Sequence, residues 1–308
     1  MSEASGMMKL FRVHTQQYNE RYEMPVSQSM TATLRDSTGK PARHVMGISG
    51  GKDSSALAIY MRGKVPEMEY FFCDTGSELP ETYEYLQRLE TALGKPIARL
   101  NSERGFDHWL WVYQGALPSP QMRWCTKAMK IKPLEEWIGT GETYSYVAIR
   151  ADEHRDGYIS HKPNIHPVYP FKEDGITKDD VMRILEDAGV GLPDYYEWRT
   201  RSGCYFCFFQ RKSEWVGLAE RHPDLFERAV AYEDKVNYEA QAMEGRQYTW
   251  SGGETLRELI ERKDEIMAKR QEALDRATKK RRNLPLIEVL GEVLDDEDDT
   301  LPCQVCHL

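Results

Sequence analysis

The chain of 308 residues contains no long apolar run, few cysteines and less positive than negative charge. No run approaches the roughly 18 apolar residues of a membrane span, so we expect a soluble protein that does not bind membranes. The N-terminal residues lack the basic segment and apolar core of a secretory signal, which favours a cytoplasmic location. The 6 cysteines are too few for a disulfide scaffold, so we expect them to stay thiols in a reducing compartment.

Positive charge is scarce, since 41 Lys and Arg residues stand against 50 Asp and Glu residues, for a net charge of −9. A protein that coats nucleic acid non-specifically needs clustered cations, so this balance argues against that class. One basic cluster, "ATKKRRN" at 277–283, closes a helical stretch. Because the helix dipole favours cations at a C-terminus, we interpret the cluster as a solvated helix end.

Short apolar runs alternate with amphipathic segments between Arg43 and Arg150. Strands are predicted at 44–49, 69–75, 96–100 and 144–150, and helices at 54–62, 79–94, 106–114 and 126–139. This alternation predicts an α/β fold with a doubly wound, Rossmann-like parallel sheet. A further helix is predicted after Thr177, which serves as its N-cap with Asp180 three residues later.

The predicted organisation has one large α/β domain with smaller appended parts, because the chain exceeds the usual domain size of roughly 100 to 200 residues. The parts are an N-terminal extension at 1–42, the α/β domain with a cysteine motif at 43–215, a helical C-terminal region at 216–290 and an acidic, cysteine-containing tail at 291–308. The helices after Trp215 offer a surface for a second copy of the chain, giving a homo-oligomer, or for a partner protein.

A glycine-rich loop, "SGGKDS", follows the first predicted strand and precedes a helix that we expect to begin at Ser54 or Ser55. Such a loop at a helix N-terminus binds phosphate, because glycines let the backbone approach and free N–H groups point at the oxygens. The spacing from glycine to lysine is too short for a Walker A loop. The expected phosphate contacts are Ser49, Gly50, Gly51, Lys52, Asp53, Ser54 and Ser55.

Five motifs together resemble the phosphoadenylylsulfate (PAPS) reductase family of the adenine nucleotide alpha hydrolase superfamily, also called PP-loop ATP pyrophosphatases. The glycine-rich loop is similar to the pyrophosphate loop of that superfamily, whose members break the bond between the α and β phosphates of ATP. The other four motifs are "FFCDTGSELPETYEYL", "WCTKAMKIKPLEEW", "AIRADEHRDG" and "RSGCYFCFFQRKSEW". The resemblance covers about Arg43 to Trp215.

The resemblance implies a site for ATP and Mg²⁺ in which Lys52, Asp53 and Asp74 are catalytic. Asp74 follows a strand at its carboxyl end, which is where ligands bind in open α/β sheets. Arginines bind phosphate in a bidentate manner, so cations in the matching motifs are expected to surround the polyphosphate. The further ATP contacts implied are Lys127, Lys130, Arg150 and Arg155.

The cysteine spacing indicates a metal site. Cys204 and Cys207 form a C-x-x-C pair, and thiolate-only ligation selects zinc or iron–sulfur. In relatives the cysteine of the Cys-Thr motif, here Cys125, joins this pair on a [4Fe-4S] cluster. Cys303 or Cys306 could supply the fourth ligand, or the fourth iron could remain free to bind sulfide. A structural zinc is the alternative metal. Cys73, inside an apolar strand, is predicted to be a core residue.

The departures from the family favour ATP as the substrate. Members that reduce phosphoadenylylsulfate usually lack Lys52 and end in a Glu-Cys-Gly-x-His tail, which this chain matches only at Cys306-His307. The sequence therefore predicts an ATP pyrophosphatase that adenylates an oxygen-bearing substrate for sulfur incorporation. The resemblance implies DNA phosphorothioation enzymes of the DndC and SspD kind as the closest analogy, with a cysteine desulfurase or another sulfur donor and a nucleic acid acceptor reached through partner proteins.

Three other functions stay open at this stage. The first is reduction of adenylylsulfate or phosphoadenylylsulfate to sulfite with Cys306 as the nucleophile. The second is transfer RNA thiolation, although no RNA-binding module flanks the core. The third is a nucleotide-sensing metal protein without turnover. The tail cysteines Cys303 and Cys306 suit a redox pair, a persulfide acceptor or a flexible metal ligand.

Overall fold

A five-stranded parallel sheet forms the centre of the computed structural model, which describes residues 39–154, 161–241 and 248–280. The strand order is β3-β2-β1-β4-β5, and every neighbouring pair is parallel. The strands are β1 Arg43–Gly47, β2 Glu69–Cys73, β3 Ile97–Leu100, β4 Thr143–Tyr146 and β5 Ile165–Val168. The order reverses beside β1, which makes the sheet doubly wound and creates a crevice at the carboxyl ends of β1 and β4.

The helices lie between and after the strands. They are α1 Lys52–Met61, α2 Pro80–Leu93, α3 Phe106–Val112, α4 Trp124–Thr126, α5 Lys132–Ile138, α6 Pro170–Glu173, α7 Lys178–Asp187, α8 Lys212–Arg221, α9 Pro223–Gln241, α10 Leu256–Glu261 and α11 Lys263–Lys280. A π-helical segment, Lys127–Ile131, joins α4 to α5, and a 3₁₀ helix spans Asp194–Glu197.

Both faces of the sheet are buried because side chains alternate along each strand. Met46, Tyr70 and Phe72 pack into one hydrophobic cluster with α1, α2 and α7. Their neighbours Val45 and Phe71 pack into a second cluster with α5 on the opposite face. A parallel sheet covered on both sides explains why these strands read as short continuous apolar runs.

A third cluster, rich in aromatic side chains, lies outside the sheet. It combines residues of α3 and the cysteine segment with the C-terminal helices, so the helical C-terminal region packs against the α/β part. Glu233, buried in this region, accepts hydrogen bonds from the backbone N–H groups of Trp250 (2.9 Å) and Leu256 (2.7 Å). The domain boundary predicted between residues 215 and 216 falls inside helix α8. The predicted domain limits stay predictions.

Most of the predicted elements are present. All four predicted strands are confirmed, as is the burial of Cys73, which is 2% exposed. The capping interaction is also confirmed, since the Asp180 carboxylate accepts from the backbone N–H of Thr177 at 2.9 Å. Across the described ranges, no helix has the length and apolar character needed to cross a bilayer.

Two details differ from the prediction. Helix α1 begins at Lys52 rather than at Ser54 or Ser55, because Gly51 is in an extended conformation and acts as the N-cap. Strand β5 was not predicted, since Pro167 within "IHPV" argues against a strand in the middle of a sheet. It is tolerated because β5 is an edge strand with a neighbour on one side only.

Candidate functional site

The glycine-rich loop lies at the carboxyl end of β1, beside the crevice of the sheet. Ile48 donates its N–H to the Phe71 carbonyl at 2.7 Å, and the chain then turns through Gly50 at φ +76°. A Cβ on Gly50 would lie 2.8 Å from Cγ2 of Thr82, and one on Gly51 would lie 2.9 Å from Oγ of Ser202. Both positions therefore need glycine, Gly50 for its conformation and both for close packing.

The serines of the loop hold its shape. Ser54 Oγ lies 3.0 Å from Ser49 Oγ and accepts the Ser49 N–H at 3.1 Å. The Ser55 hydroxyl donates to the Gly51 carbonyl at 2.8 Å. All three side chains are buried. These hydroxyls thus organise the backbone of the loop, and the direct phosphate contact predicted for them stays a prediction.

A second segment, residues 195–202, closes over the loop, and we call it the strap. Tyr195 donates its hydroxyl hydrogen to the Gly50 carbonyl at 2.8 Å, and the Tyr196 hydroxyl accepts the Lys52 N–H at 3.1 Å. Ser202 adds a third contact, 3.2 Å from Ser49 Oγ. The sequence analysis missed this segment, and its signal was the pair of adjacent tyrosines just before the cysteine motif.

Charged side chains beside the loop form a short ionic chain. The Asp53 carboxylate is 5% exposed and lies 2.9 Å from Nη1 of Arg150 and 3.2 Å from Nζ of Lys52. Burial acts to lower the pKa of Arg150, but the carboxylates of Asp53 and Glu153 outweigh burial and raise it. Lys52, Asp53 and Arg150 are thus brought together as predicted, at the N-terminus of α1.

Asp74 follows β2 and is half-buried at the same edge of the sheet. Its carboxylate accepts the Gly76 N–H at 2.9 Å and the Tyr83 hydroxyl at 2.8 Å. The nearby Glu78 is buried and accepts the Thr75 hydroxyl at 2.7 Å. Burial raises the pKa of Glu78. Glu78 also forms an antiparallel β-bridge with Cys204, which connects the Asp74 turn to the cysteine motif.

Three of the predicted metal ligands line a single pocket, which we call the thiol pocket. Cys125 reaches it from α4, and Cys204 and Cys207 reach it from the loop after the strap. Thr75 Oγ1 lies 3.2 Å from Cys204 Sγ. The other lining residues are Phe106, Pro118, Thr126, Met129, Lys130, Gly203, Phe206, Phe208 and Phe209. The pocket therefore combines thiols with an apolar, aromatic wall.

The protonation of the pocket follows from its burial. Burial raises the pKa of the Cys125 thiol to about 11 and raises that of Cys204 as well. Both are therefore neutral thiols at pH 7 until a metal displaces their protons. Burial alone would lower the pKa of Lys130, but the charges that Cys204 and Glu78 carry when ionised outweigh it and raise the pKa.

The donor set of the pocket fits a soft metal centre. Three thiols select zinc or iron–sulfur, and the Glu78 carboxylate lies beside them, 3.8 Å from Cys204 Sγ. Within the parts of the chain that the structure describes, no three Cys, His, Asp or Glu side chains are close enough to hold one ion. The three thiols suit either a zinc ion or an iron–sulfur cluster.

The remaining predicted site residues are placed differently. Lys130 lines the thiol pocket, and Lys127, on the π-helical segment, is exposed. Arg155 lies outside the described residues, as do Cys303 and Cys306, so their predicted roles stay predictions.

Substitution of Gly50 by alanine tests whether the loop conformation is required for a ligand. We expect a loss of about 1–2 kcal/mol of folding free energy from the positive φ, and a further loss from the contact with Thr82. Gly76→Ala is the matched control, because Gly76 has φ +68° and no atom within 4 Å of an added Cβ. Urea unfolding and ATP-analogue binding should show that only Gly50→Ala loses nucleotide affinity. Equal losses of affinity in both variants would contradict the assignment of this loop.

Removal of the Tyr196 hydroxyl tests whether the strap competes with a ligand for the loop. Since this hydroxyl accepts the Lys52 N–H, a phosphate oxygen must displace it to bind that N–H. Tyr196→Phe should therefore bind pyrophosphate about 2- to 10-fold more tightly, as expected for one neutral hydrogen bond. Tyr195→Phe removes a bond that holds Gly50 in place and should weaken binding. Isothermal titration calorimetry of pyrophosphate binding distinguishes the two variants. Weaker binding in both would contradict competition between the Tyr196 hydroxyl and phosphate for the Lys52 N–H.

Comparison with known proteins agrees with the motif analysis over the first half of the chain. Residues 43–163 match the family model of the phosphoadenosine phosphosulfate reductase domain. An uncharacterised protein of Methanocaldococcus jannaschii is 24% identical, over 62% of this chain and 47% of its own length. The chain thus spans less than half of the length of the first curated relatives it matches.

Two solved structures are also similar. Phosphoadenylyl-sulfate reductase of Candida auris, in a phosphate complex, has 11% sequence identity and a TM-score of 0.43, covering 55% of this chain and 84% of its own. The U34-tRNA thiolase NcsA of Methanococcus maripaludis, with its [4Fe-4S] cluster, has 13% identity and a TM-score of 0.39, covering 73% of this chain and 80% of its own.

Proposed function

We propose that the protein is an ATP pyrophosphatase that adenylates an oxygen-bearing acceptor and replaces that oxygen by sulfur. One observation carries the proposal. The glycine-rich loop and the thiol pocket are connected by the strap. The strap contacts the loop through Tyr195, Tyr196 and Ser202. It then leads directly into Cys204. Such a connection suits a reaction that needs nucleotide activation and sulfur chemistry at neighbouring places.

In this proposal the loop holds the polyphosphate of ATP. The backbone N–H groups at the N-terminus of α1 face the β and γ phosphates, and Lys52 stabilises the charge that develops on departing pyrophosphate. Asp53 and Asp74 are the carboxylates that would hold Mg²⁺, which would neutralise the same charge when bound. Arg150 keeps Asp53 in position from the opposite side.

The reaction consists of two displacements. The acceptor oxygen attacks the α phosphorus and the α–β bond breaks, which releases pyrophosphate and leaves the acceptor adenylated. Sulfide then displaces AMP from the acceptor, so sulfur takes the place of the oxygen. Cys125, Cys204 and Cys207 would hold a [4Fe-4S] cluster, which supplies a place to carry sulfide when bound. In this proposal the fourth iron would stay open for the sulfide, and ligation by Cys303 or Cys306 is the alternative without an open iron.

The proposed acceptor is a nucleic acid phosphate, as in DNA phosphorothioation, and the proposed sulfur source is a cysteine desulfurase in the cytoplasm. A thiol reductant converts the persulfide of the desulfurase to sulfide and is itself oxidised to a disulfide. The support is Lys52 in the loop, together with the motif resemblance. Transfer RNA thiolation uses the same two displacements on a different oxygen. The helical C-terminal region is proposed as the surface for a partner or a second copy of the chain.

Reduction of a sulfonucleotide is the second candidate, and the match of residues 43–163 to the phosphoadenosine phosphosulfate reductase domain favours it. In that reaction ATP is not split. A thiol attacks the sulfur of the substrate and the nucleotide leaves, and a second thiol then releases sulfite as a disulfide forms.

Product analysis separates the two candidates. Protein purified without oxygen is incubated with Mg²⁺, ATP, sulfide and a nucleic acid acceptor, or with phosphoadenylylsulfate and a thiol reductant. The proposal predicts AMP and pyrophosphate from ATP. Release of sulfite from the sulfonucleotide, with ATP left intact, would contradict the proposal and identify the protein as a reductase. ATP binding without any product would indicate a nucleotide-sensing protein without turnover.

A further inference from the structure

A row of serine hydroxyls connects the strap to the N-terminus of α1. The Ser202 hydroxyl donates to Ser49 Oγ at 3.2 Å, and Ser49 Oγ lies 3.0 Å from Ser54 Oγ. The Ser54 hydroxyl then donates to the Gly51 carbonyl at 3.2 Å. Hydroxyls in such a row polarise one another, so each hydrogen bond strengthens the next. Ser202 therefore helps to fix Gly51, the N-cap residue from which α1 begins.

Ser202 lies two residues before Cys204, and a buried arginine fixes the backbone between them. Arg199 is 1% exposed and donates to the carbonyls of Gly203 at 3.0 Å and Cys204 at 2.8 Å. A Cβ on Gly203 would lie 3.5 Å from Nη2 of Arg199 and 3.9 Å from Sγ of Cys207. The backbone that leads from Ser202 into the C-x-x-C pair thus lies beside both this guanidinium and a thiol of the thiol pocket.

A metal bound by Cys204 and Cys207 would restrain this backbone, because both ends of the C-x-x-C pair are then held on one centre. A restrained Cys204 limits the positions open to Ser202, which is 7% exposed and packed against the glycine-rich loop. When one ligand has already ordered a segment, a second ligand that needs the same order loses less entropy and binds more tightly. The glycine-rich loop should therefore bind phosphate more tightly when the thiol pocket holds its metal.

We propose that Ser202 is a positioning residue through which a metal in the thiol pocket orders the glycine-rich loop for phosphate. This role rests on the proposed function, because it takes a phosphate group as the ligand of the loop and a metal as the ligand of the thiols. Protein without its metal then binds ATP more weakly, so less ATP is cleaved when no sulfur can follow. Because coupling of binding free energies is reciprocal, a phosphate ligand in turn orders the C-x-x-C pair.

Hydrogen–deuterium exchange of the metal-loaded full chain, with and without pyrophosphate, tests this role in the absence of ATP. In the wild type, pyrophosphate should slow exchange at residues 203–207 about 2- to 10-fold, the effect that one neutral hydrogen bond can transmit. Ser202→Ala should lose this protection, while pyrophosphate still protects the glycine-rich loop. Ser145→Ala is the matched control, because it removes a serine hydroxyl that is buried in β4 and has no hydrogen-bond partner among the described residues. It should behave as the wild type.

Calorimetric titration with pyrophosphate separates this coupling from a merely structural role. The metal-loaded wild type should bind pyrophosphate about 2- to 10-fold more tightly than protein stripped of metal by a chelator. In Ser202→Ala the two forms should bind equally. Tyr195→Phe removes a bond between the strap and Gly50, so it should weaken binding in both forms and keep the difference between them. Circular dichroism checks that the stripped protein is folded, and the exchange experiment, which needs only the loaded form, decides if it is not.

Metal content is measured in every variant, and the outcomes are distinct. Protection of residues 203–207 that persists in Ser202→Ala would overturn the role of Ser202, as would pyrophosphate binding that leaves these residues unprotected in the wild type. An affinity of the folded wild type that does not depend on the metal would overturn it too, as would loss of metal from Ser202→Ala, because Ser202 then supports the thiols alone. All these results leave ATP splitting to be judged by its own assay. Absence of pyrophosphate binding would count against the glycine-rich loop itself, and so against the proposed function as well.

Discussion

Lys52→Ala is expected to lower the rate of AMP and pyrophosphate release from ATP about 100- to 1000-fold, the usual loss when one preorganised charge-stabilising group is removed. The Lys52 side chain is 15% exposed, and its ammonium lies 3.2 Å from the Asp53 carboxylate at the N-terminus of α1. It is therefore held where the charge of a departing pyrophosphate would develop. Its backbone N–H stays in the variant, so the loop conformation is retained.

The measurement is single-turnover cleavage of radiolabelled ATP, with AMP and pyrophosphate separated by thin-layer chromatography. Lys269→Ala is the matched control, because it removes an exposed lysine of α11 that pairs with Glu265. Equal rates in the wild type and Lys52→Ala would refute the assigned role. Release of sulfite from phosphoadenylylsulfate that does not change in Lys52→Ala would favour the reductase.

Cys204→Ser is expected to abolish iron binding and the visible absorbance of the protein. Cys204 is one of three thiols in the thiol pocket and sits between Thr75 Oγ1, at 3.2 Å, and the β-bridge to Glu78. A serine hydroxyl is a much poorer ligand for iron than a thiolate, which soft metals prefer. Cys125→Ser and Cys207→Ser should have the same effect, because each thiol would bind a different iron of the proposed cluster.

Cys73→Ala is the control for the loss of a thiol. Cys73 is buried in β2 and is part of the hydrophobic cluster beside α5. Its replacement should lower stability by about 1 kcal/mol, as is typical of single substitutions, with iron content unchanged. Iron and zinc are measured by mass spectrometry of metals after anaerobic purification. About four irons per chain agree with a [4Fe-4S] cluster, whereas one zinc and no iron would contradict it.

The fold was largely predictable because its signals are local. The runs "HVMG" and "YFFC" are apolar and short, and each is followed by an amphipathic helix, which leaves few alternatives to a parallel sheet. Strand β5 escaped prediction because whether Pro167 is tolerated depends on its place at the sheet edge. That place is a property of the strand order, which no local pattern of the chain reveals.

The candidate site was only partly predictable. The loop from Ser49 to Ser55 and the three thiols of the pocket could be predicted, because the spacing of their residues in the sequence indicates their chemistry. The strap could not be predicted, since the hydrogen bond between Lys52 and Tyr196 joins residues far apart in the chain. The same holds for Glu78, whose burial and bridge to Cys204 follow from how the Asp74 turn packs. The roles of the loop serines could not be predicted from the sequence, because a serine hydroxyl can form hydrogen bonds either to a ligand or to the backbone of its own loop.

The most direct test of the account is sulfur transfer with a labelled donor. The anaerobic protein is incubated with a cysteine desulfurase, ³⁵S-cysteine, a thiol reductant and a nucleic acid acceptor, with and without ATP, and label and AMP are counted. The account predicts that label enters the nucleic acid only with ATP and that one AMP forms for each sulfur incorporated. Labelling without ATP, or ATP cleavage that yields ADP and phosphate instead of AMP, would contradict it.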